Sequence, residues 1–594
     1  MNQHIVFDTE IIGKEKPVFL VCTKCVETGE RTAYWHHKRG HMKRLIAQFH
    51  RDDLTWVSFN GIHFDDALIN AALCGYDVQT IKQIATMIIQ DGLKHWDVRK
   101  VVRMEKLEYD HIDLIDVAPG VRTSLKTYAG RMHSPSMIDL PFHYDADLTP
   151  KQQKILEEYC LNDLDETERL FLELKEQIAL RVHLGEQYDM DLRSKSDAQM
   201  AEAIFKKITG VSKNSGLRPT TVDYTAPKLI RTNNPVILDL ISQVEAELFD
   251  IDASGAPIEA PWMRRPVALN DGVYKFGLGG LHSQHDVQLY REATDDWLIS
   301  DFDVTSYYPN ILMNCGLVPV MSGNKGDAFI AAYKDLYAQR VAAKRAGNKA
   351  VDKGLKIALN GTFGKLGSKY CAFYSPDLLI AITLTGQLNL LCVIDALEKH
   401  KGVKVLSANT DGIIVGYPLA KRDKVLQALA TNTQRTGFGW EETSYRKVAM
   451  KDVNNYFAVT LDGKVKAKGL YSETSLMKNP TMQVCSDAAK QYLLDGTPPE
   501  KFIAKQKDIR AFLTVRNAKG GAEQGGVEIG RTPRWYMTTE TLPPIRYVSN
   551  GNKVPKTDGA RLCMKLPDAI PDDLDRTWYV QETYEILYDV GAYR

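Results

Sequence analysis

Residues 299–312, ISDFDVTSYYPNIL, form the stretch on which the fold assignment depends. An apolar run typical of a β-strand leads up to Asp303, so we expect this carboxylate where the strand ends. Polar and aromatic residues and then Pro309 follow directly, which indicates that the chain turns away from the sheet at this point. A carboxylate at a strand end is a weak signal alone, and its meaning depends on the other motifs of the chain.

Length and composition favour a soluble protein of several domains. The 594 residues exceed what one hydrophobic core usually supports, so we expect two or more domains. The composition is 44% hydrophobic and 25% charged, and no apolar run approaches the roughly 20 residues that a membrane span requires. The N-terminal stretch MNQHIVFDTE lacks the basic and apolar regions of a secretory signal, so we expect a cytoplasmic protein without a membrane partner.

Nine cysteines are too few for a disulfide framework. Cys22 and Cys25 stand three apart in a strand-like run, so their side chains point to opposite faces. No second Cys or His pair follows at zinc-finger spacing, and we therefore expect reduced, mostly buried thiols rather than a metal site.

The formal net charge is zero, yet basic residues concentrate in two stretches. Residues 334–369 contain nine basic and two acidic side chains, and residues 500–519 contain six and two. A charge run is usually a solvated face, so these stretches support nucleic-acid binding only weakly until a catalytic motif stands beside them.

Three regions differ in their patterns. Residues 1 to about 190 alternate strand-like and helical patterns and end in a long charged helix over residues 152–180, which indicates an α/β domain. Residues 210–266 are punctuated by Pro and Asn and mark a boundary. The remainder mixes strands and helices as in an α+β fold, and residues 331–365 predict two helices that are broken around Gly347.

Asp8 and Glu10, in VFDTE, stand two apart on a predicted strand and therefore share one face of the sheet. Two adjacent carboxylates repel each other unless a cation lies between them, and hard oxygen ligands suit Mg²⁺, with Mn²⁺ as the alternative. If nothing else converged on this pair, an acidic pair at a solvated strand edge would be the preferred interpretation.

Two further motifs in the same region, FNGIHFDD and EYCLNDLDE, supply Asn60, Phe64, Asp65, Tyr159 and Asp163. Tyr159 and Asp163 are four apart on the predicted helix and share one helical face. The ordered set D-x-E, N-x-x-x-F-D and Y-x-x-x-D resembles the DEDD exonucleases, specifically the proofreading domain of family B DNA polymerases.

This resemblance implies an RNase H-like 3′→5′ exonuclease domain that hydrolyses phosphodiesters with two metal ions. Tyr159 would orient the attacking water, and Asn60 and Phe64 would contact the frayed single-stranded primer end. Lys126, in SLKTYAG, is either a further phosphate contact or a surface lysine, and the surface lysine is the preferred interpretation. The implied metal ligands are Asp8, Glu10, Asp65 and Asp163.

Residues 299–312, quoted at the start, belong to a second set of motifs. They resemble motif A of the same polymerase family, D-x-x-S-L-Y-P, with Tyr307 in place of the leucine. Residues 354–368, GLKIALNGTFGKLGS, resemble motif B, K-x-x-x-N-S-x-Y-G, with Gly361 and Phe363 at two altered positions.

Four side chains of this region repeat a helical spacing. Lys356 and Asn360 are four apart, as are Arg340 and Lys344 upstream, so each pair shares a helix face. A solvated basic helix is the alternative interpretation. The position beside motif A favours the triphosphate-binding residues of the family instead.

Residues 403–417, VKVLSANTDGIIVGY, predict a β-hairpin with its turn at NTDG. The stretch resembles motif C, Y-x-D-T-D-S, but Asn409 replaces the first aspartate and Gly412 replaces the serine. Asp411 keeps the position of the second aspartate, which in the family binds metal together with the motif A aspartate. We interpret motif C as a variant site rather than an inactive one.

Two weaker resemblances concern DNA contacts. FGLGGLHS, with Gly279 and Gly280, resembles a Gly-Gly loop that contacts the template strand, although the tyrosine of the family is absent. KDVNNYFAVTLDGKVKAKG resembles the K-x-Y region that grips the primer end, with Asn454 in place of the lysine and with Tyr456 and Lys468 at matching positions.

The resemblance implies a right-hand DNA polymerase with palm, fingers and thumb, which extends a primer 3′-OH with dNTPs by two-metal catalysis. The implied metal ligands are Asp303, the backbone carbonyl of Val304, and Asp411. Tyr308 would stack under the incoming sugar and exclude a 2′-OH. The implied dNTP-binding residues are Ser306, Tyr307, Tyr308, Arg340, Lys344, Lys356 and Asn360.

The expected domains follow in order along the chain: residues 1–190 (exonuclease), 191–320 (linker and first part of the palm), 321–368 (fingers), 369–475 (palm with the motif C hairpin) and 476–594 (thumb). Two other interpretations stay open. One is an enzyme that works as an exonuclease alone, and the other is a catalytically decayed DNA-binding homologue.

The spacing between motifs limits what lies between them. Asp303 and Lys356 are 53 positions apart, and Asn360 and Asp411 are 51 apart, which leaves no room for the extra subdomains of protein-primed phage relatives. We therefore expect a compact, monomeric enzyme of the bacteriophage type that uses primer–template DNA and a separate helicase, clamp or single-strand-binding protein.

Overall fold

The structure is a computed structural model that describes residues 2–105, 107–211, 216, 218–284, 288–319 and 325–593. Across these residues the strands are β1 (Gln3–Ile12), β2 (Val18–Cys25), β3 (Arg31–Trp35), β4 (Leu54–Ser58), β5 (His111–Asp113), β6 (Thr221–Val222), β7 (Phe249–Asp250), β8 (Val267–Leu269), β9 (Gly272–Lys275), β10 (His282–Ser283), β11 (Leu289–Glu292), β12 (Trp297–Val304), β13 (Lys404–Asn409), β14 (Gly412–Pro418), β15 (Trp440–Met450), β16 (Tyr456–Thr460), β17 (Val465–Ala467), β18 (Thr514–Val515), β19 (Ala522–Gln524), β20 (Val527–Gly530), β21 (Arg534–Met537), β22 (Ile545–Tyr547) and β23 (Ala560–Leu562).

The helices of the same residues are α1 (His41–Phe49), α2 (Asp65–Leu73), α3 (Val78–Ile89), α4 (His95–Val102), α5 (Leu125–Arg131), α6 (Pro150–Glu173), α7 (Lys175–Tyr188), α8 (Asp197–Thr209), α9 (Pro235–Ala246), α10 (Tyr307–Asn314), α11 (Gly326–Arg345), α12 (Lys349–Lys365), α13 (Pro376–Glu398), α14 (Arg422–Thr436), α15 (Gln483–Asp495), α16 (Pro499–Lys505) and α17 (Arg576–Asp589).

The N-terminal sheet is mixed and has the strand order β3-β2-β1-β4-β5. The strand β1 is antiparallel to β2 and parallel to β4, which is parallel to β5. Successive residues of β1 enter two different cores because side chains alternate along a strand. Phe7 packs in the core that contains residues of α1, α2 and α3, and Val6 packs in the core that contains residues of α6.

A capping box begins α6. The Thr149 side chain accepts a hydrogen bond from the Gln152 backbone, the Gln152 side chain accepts one from the Thr149 backbone, and Pro150 occupies the first turn. The prediction of one long helix over residues 152–180 is wrong, because the chain forms α6 and α7. Between them the fully buried Leu174 has φ −90° and ψ 7°, which is outside ordinary helical geometry.

The larger sheet has the order β17-β16-β15-β12-β14-β13-β10-β9-β8, with β11 beside β15. The strand β12 pairs antiparallel with β14 and β15, and this register places Asp303 opposite Gly412 on one side and Glu441 on the other. The strands β13 and β14 form an antiparallel hairpin, which confirms the hairpin predicted for residues 403–417.

The two helices predicted within residues 331–365 are confirmed as α11 and α12. Gly347 lies between them with φ 70°, in the left-handed region that glycine adopts at little cost. This turn allows the two basic helices to pack against each other.

The chain is a mixed α/β protein that divides into two compact units. The first unit contains Met1–Ser196, Thr474–Gln483 and Gln506–Trp578. The second unit contains Asp197–Glu473, Val484–Lys505 and Tyr579–Arg594. The stretch expected to form the thumb therefore contributes to both units, and the assignment of palm, fingers and thumb stays a prediction.

The helix α13 is long and apolar enough, by length and composition, to cross a membrane. The expectation that no apolar run approaches this length is therefore wrong for this segment. Of its most apolar stretch, 83% is buried inside the protein, as in the core helix of a water-soluble domain.

None of the nine cysteines forms a disulfide bond among the described residues, and most of them are buried. Cys22 and Cys25 are both buried on β2, which confirms the prediction of buried, unpaired thiols for this stretch.

Replacing the buried Arg534 should strongly destabilise the first unit. The Arg534 guanidinium donates hydrogen bonds to the carbonyl oxygens of Ser134 (2.6 Å), Cys563 (2.6 Å) and Met564 (3.0 Å). Arg534→Met keeps the aliphatic stem but leaves buried carbonyls unpaired, so the free energy of unfolding should fall by about 3 kcal/mol. Urea denaturation followed by intrinsic fluorescence measures this change in the free energy of unfolding.

The matched control is Arg546→Met. Arg546 is an exposed residue of β22 that donates to the Gly551 carbonyl at 2.9 Å, so its loss should cost less than about 1 kcal/mol. Equal denaturation midpoints for the two variants would contradict the structural role of Arg534.

Candidate active sites

Three carboxylates of the first unit converge on one point. The side-chain oxygens of Asp8, Glu10 and Asp163 all lie within 4.8 Å of one another. The side chains of Asp8 and Glu10 point from the same face of β1. Asp163 lies on α6, which packs against β1. The structure thus brings together three of the predicted metal ligands.

The electrostatics of this cluster favour a bound cation. Burial raises the pKa of Asp8 well above its usual range, and the nearby carboxylates of Asp65, Glu10 and Asp163 raise it further. Burial, followed by Asp163 and Asp65, raises the pKa of Glu10 in the same way. An oxygen-only donor set whose charges repel suits Mg²⁺ or Mn²⁺, so the residues present fit the implied metal.

Asp65 lies beside this cluster rather than among its three converging groups. It is the first residue of α2, and its carboxylate accepts a hydrogen bond from the Thr9 hydroxyl. Burial raises the pKa of Asp65 to about 7, although the Thr9 hydrogen bond lowers it. The fourth predicted ligand therefore contributes charge to the site from a separate position.

Lys126 is part of the same cluster. Its Nζ donates to Asp163 Oδ1 at 2.8 Å and lies 4.4 Å from the centre of the Tyr159 ring, and its side chain is 15% exposed. The interpretation of Lys126 as a surface lysine is therefore wrong. Burial and then Asp163 raise the pKa of Tyr159, so this phenol keeps its proton and can donate it in a hydrogen bond.

Asp113, which was not identified from the sequence, holds the N-x-x-x-F-D segment. Its buried carboxylate accepts hydrogen bonds from the backbone N–H groups of Asn60 (2.7 Å) and Ile62 (3.0 Å). The Asn60 side-chain oxygen accepts from Arg122 Nη2 at 2.7 Å, and Phe64 packs against the hydrophobic core. An acidic residue inside the strand-like run HIDLID was the available signal for Asp113.

In the second unit, Asp303 stands on a strand and Asp411 in the turn of the hairpin that pairs with it. Asp303 lies near the end of β12, and Asp411 lies in the turn between β13 and β14. The Val304 N–H donates to the Asp411 carbonyl oxygen at 2.8 Å, which ties the two segments together.

Burial and neighbouring negative charge act on these two carboxyl groups. Burial, then Asp301 and Asp411, raise the pKa of Asp303 to about 6. Burial also raises the pKa of Asp411. As in the first unit, carboxylate oxygens that resist ionisation side by side fit a divalent cation.

Gly412 leaves space for the Asp303 carboxylate. The two residues are directly opposite in the pairing of β12 with β14, and a Cβ added to Gly412 would come within 2.2 Å of Asp303 Oδ1. In this backbone, the departure from the serine of the family therefore has a steric reason.

A cavity of about 530 Å³ opens beside Asp411. Motif A, the helices α11 and α12, and the motif C turn all contribute to its wall, and three of the side chains that line it are basic. Such a wall suits a polyphosphate. The predicted residues in the wall are Val304, Ser306, Tyr307, Tyr308, Arg340, Lys344, Lys356, Asn360 and Asp411.

Two of these basic groups have acidic partners that the sequence analysis missed. Arg340 Nε donates to Asp352 Oδ1 at 3.0 Å, and its Nη1 donates to Ser306 Oγ at 3.0 Å. Lys344 is exposed and lies 3.8 Å from Glu441 Oε1. The Arg340 guanidinium is therefore held in one orientation, whereas the exposed Lys344 ammonium can move to contact a ligand.

The two tyrosines of motif A differ in their surroundings. Tyr307 is 3% exposed, and its hydroxyl donates to the Gly386 carbonyl (2.6 Å) and accepts from Asn389 Nδ2 (3.0 Å). These partners explain how the core accommodates a tyrosine where the family has leucine. Tyr308 is half-buried and its ring centre lies 4.5 Å from that of Phe363, so it is the better placed of the two to meet a ligand.

A second cavity of about 450 Å³ borders the same motif C turn. Its wall contains Asp303 and Asp411 together with Tyr456 and Lys468, the residues predicted to contact the primer. The structure thus brings the K-x-Y region to the carboxylates of motifs A and C.

Asp301 and Lys466 line this second cavity, and the sequence analysis missed both. The buried Asp301 Oδ2 accepts hydrogen bonds from the Tyr445 hydroxyl (2.6 Å) and from Lys466 Nζ (3.1 Å). The D-x-D spacing of Asp301 and Asp303, which places both on one face of β12, was the available signal.

Asn409 connects the motif C turn to the next motif. Its Nδ2 donates to the Val453 carbonyl and to Asn454 Oδ1, each at 3.3 Å. An aspartate could not donate these hydrogen bonds. The two asparagines that depart from the family patterns therefore contact each other, which accounts for both departures structurally.

The glycine loop is held by Gln387 of α13. Its Nε2 donates to the carbonyl oxygens of Gly277 (2.6 Å) and Gly279 (2.9 Å), and its Oε1 accepts from the Gly277 N–H (3.0 Å). A Cβ added to Gly280 would lie 2.3 Å from Thr410 Oγ1, so the loop backbone lies directly against the motif C turn.

The chain is similar in sequence to known DNA polymerases over short stretches. No protein-family model matches it. DNA polymerase 1 of Sulfolobus acidocaldarius is 26% identical over 162 residues, which are 27% of this chain and 18% of that protein. DNA polymerase II of Escherichia coli K12 is 33% identical over 105 residues, which are 17% of this chain and 13% of that protein. The matches thus span less than a fifth of either relative, and they support homology to DNA polymerases.

Among solved structures, the family B DNA polymerase of the hyperthermophilic archaeon Pyrobaculum calidifontis aligns with a TM-score of 0.41 and 13% identity. The alignment covers 99% of this chain and 78% of that chain.

The raised pKa of Asp65 predicts a pH-dependent stability of the metal-free protein. An unfolded aspartate ionises near pH 3.8, whereas the folded pKa is about 7, so the folded state keeps a proton that the unfolded state has lost. This contribution to stability is complete below pH 3.8 and is lost as the pH rises to about 7. In EDTA, the free energy of unfolding of Asp65→Asn relative to that of the wild type should therefore rise by on the order of 2 kcal/mol from pH 5 to pH 8.

Urea denaturation at the two pH values measures this gain. Asp91→Asn, which changes an exposed carboxylate of the same unit, is the matched control and should show no such difference. A gain for Asp65→Asn that does not depend on pH would contradict the raised pKa.

Gly412→Ala should displace the Asp303 carboxylate and weaken metal binding in the second unit. The added methyl group would meet Asp303 Oδ1, which has to turn away. We expect the affinity for Mn²⁺ to fall about 10–100-fold, as for other changes that misorient a ligand. Calorimetric titration in an Asp8→Ala, Glu10→Ala background isolates this site, and an affinity equal to that of the background protein would show that Asp303 does not bind the ion.

Proposed function

We propose that this chain is a template-directed DNA polymerase of the family B type that also carries a 3′→5′ proofreading exonuclease. The observation that carries the proposal is the 530 Å³ cavity, where motif A, the basic groups of α11 and α12, and the Asp411 turn share one wall. The sequence similarity to DNA polymerases supports it independently of the cavity.

In the proposed polymerase site, Asp303, Asp411 and the Val304 carbonyl would hold divalent ions. When bound, such ions supply Lewis-acid chemistry that lowers the pKa of the attacking primer hydroxyl and neutralises phosphate charge. The pairing of β12 with β14 holds Asp303 beside the motif C turn, so in this proposal the α-phosphate would lie next to both carboxylates.

The basic residues of the fingers would bind the triphosphate. Arg340 is oriented in advance by Asp352 and Ser306, so it loses little freedom when a phosphate replaces one of these contacts. Lys344 and Lys356 would add charge on the β- and γ-phosphates, and this electrostatic stabilisation accounts for most of the catalytic contribution of the protein.

The sugar and the DNA would lie on the opposite walls. Tyr308 would pack under the deoxyribose, while Asn360 would contact the nucleotide from the facing helix. Tyr456 and Lys468 would hold the primer end in the adjoining 450 Å³ cavity. The template strand would run over the loop of Gly279 and Gly280.

In the proposed exonuclease site, Asp8, Glu10 and Asp163 would hold the divalent ion, and Asp65 would complete the ligand set. Tyr159 would orient the attacking water through its retained proton, and Lys126 would place a positive charge near the scissile phosphate. Asn60 and Phe64 would receive the unpaired primer end.

The short intervals between motifs suggest how such an enzyme works in replication. We propose a monomeric bacteriophage-type enzyme, active in the host cytoplasm, that extends nucleic-acid primers. It would rely on a separate helicase, clamp or single-strand-binding protein for long synthesis.

The two proposed activities should separate by mutation because their carboxylates lie in different units. Asp8→Ala combined with Glu10→Ala should lower the degradation of a primer 3′ end about 100-fold or more and leave extension intact. Asp411→Asn should do the reverse. Gel assays of a labelled primer–template with Mg²⁺, with and without four dNTPs, measure both activities.

Each alternative function gives a different outcome in the same assay. Degradation without any extension by the wild type would indicate an exonuclease alone, and binding without either reaction would indicate a decayed homologue. Wild-type extension by Asp411→Asn would show that motif C has been assigned to the wrong residues.

Tyr308 should act as the sugar gate. Tyr308→Val removes the ring that would meet a 2′-OH, so the preference for deoxyribonucleotides over ribonucleotides should fall about tenfold or more. Single-nucleotide insertion kinetics measure this ratio. Tyr307→Phe is the matched control, because the Tyr307 hydroxyl bonds within the core, and an unchanged ratio for Tyr308→Val would reject the assignment.

A further inference from the structure

A cavity of about 760 Å³ in the second unit lies apart from both proposed polymerase cavities. Side chains of α9, α13 and α14 line it, and it shares no lining residue with the 530 Å³ or 450 Å³ cavity. Its volume falls within the range of about 300–1,000 Å³ that is typical of ligand sites.

The charge of this cavity is one-sided. Arg231, Lys399, Lys424 and Arg435 line it, and among the described residues Asp395 is the single carboxylate of the lining. That carboxylate is already satisfied, because it pairs with Lys399 Nζ at 2.8 Å and accepts a hydrogen bond from Asn234 Nδ2 at 2.7 Å. Three basic side chains therefore face the cavity without a carboxylate of the lining to balance them.

Arg435 has an unused donor at this site. Its Nη1 donates to the Arg231 carbonyl at 3.1 Å, but its buried Nε has no hydrogen-bond partner among the described residues. Because Arg435 also lines the cavity, an anionic ligand that accepts from the accessible part of its guanidinium would gain a charge-assisted hydrogen bond.

The cavity also has an apolar wall. Leu238 and Ile241 are three apart on α9, so they share one face of this helix, and Val393 of α13 also lines the cavity. Leu238 is 48% exposed, although it is a large aliphatic side chain. An occupant that covers it would therefore bury apolar surface.

We propose that this cavity binds an acidic peptide segment of another protein, with an aliphatic side chain on the Leu238 wall and carboxylates on Arg231, Lys424 and Arg435. Arginine and lysine clusters recognise acidic motifs through charge-assisted hydrogen bonds, and the apolar wall supplies an anchor. Among the described residues no Phe, Tyr or Trp lines the cavity and His400 is its one aromatic ring, so a nucleobase would lack a large aromatic face to stack on. These features favour a peptide over a nucleotide or a DNA strand.

This inference does not rest on the polymerase function. It provides a docking place on the chain for a protein partner, whichever reaction the chain performs. Its test is a binding measurement, so a failure of the proposed function would show in primer extension and not in this experiment.

The test uses the full chain and a fluorescein-labelled peptide of the sequence Asp-Asp-Leu-Asp-Asp-Leu-Asp. We expect saturable binding in fluorescence anisotropy, weakened about tenfold by Lys424→Glu or by Arg231→Glu. Leu238→Ser should weaken it about fivefold through the loss of apolar contact. Lys401→Glu is the matched control, because this exposed lysine carries the same charge and does not line the cavity.

Two control ligands complete the experiment. The same peptide with Asn in place of Asp should bind far more weakly, and neither dATP nor a dT12 oligonucleotide should displace the acidic peptide. Displacement by dATP or dT12 that is lost in Lys424→Glu would show a nucleic-acid site instead. Absence of peptide binding, or equal binding by Lys424→Glu and Lys401→Glu, would also overturn the proposal.

Discussion

Repulsion between closely spaced carboxylates is the interaction around which both candidate sites are built. Asp8, Glu10 and Asp163 converge within 4.8 Å, and burial adds to their mutual repulsion by removing solvent. Asp303 faces the charges of Asp301 and Asp411 in a similar way. A divalent cation would relieve this repulsion, which is why metal binding is proposed for both sites.

In each unit, a lysine donates to one of the clustered carboxylates. In the first unit, Lys126 donates to Asp163 on α6. In the second unit, Lys466 donates to Asp301, which shares a strand face with Asp303. Such a lysine neutralises part of the charge without occupying every oxygen, so the ligand positions stay defined and a metal ion can still bind.

The sequence predicted the elements that local patterns control and missed those that depend on tertiary contacts. The β1 pair, the motif C hairpin and the break at Gly347 follow from alternation, turn chemistry and glycine geometry. The break at Leu174 could not be read in this way, because a leucine ordinarily continues a helix and the surrounding residues, FLELKEQ, contain no Gly or Pro.

Among the site residues, Asp113 and Lys466 show the same limit. Their roles come from groups that are distant in sequence: Asp113 binds the backbone of the segment near Asn60, and Lys466 binds Asp301 across the sheet. The burial of Lys126 likewise comes from its contact with α6 and has no local signature. The motifs pointed to the carboxylates that form the two candidate sites, and the structure shows the hydrogen-bond partners around them.

Anomalous diffraction with Mn²⁺ tests the central claim most directly. A crystal of the protein with a dideoxy-terminated primer–template and the matching dNTP should show Mn²⁺ bound by Asp303 and Asp411, with the triphosphate on Arg340, Lys344 and Lys356. Mn²⁺ absent from Asp303 and Asp411, or a triphosphate bound outside the cavity that these residues line, would contradict the account.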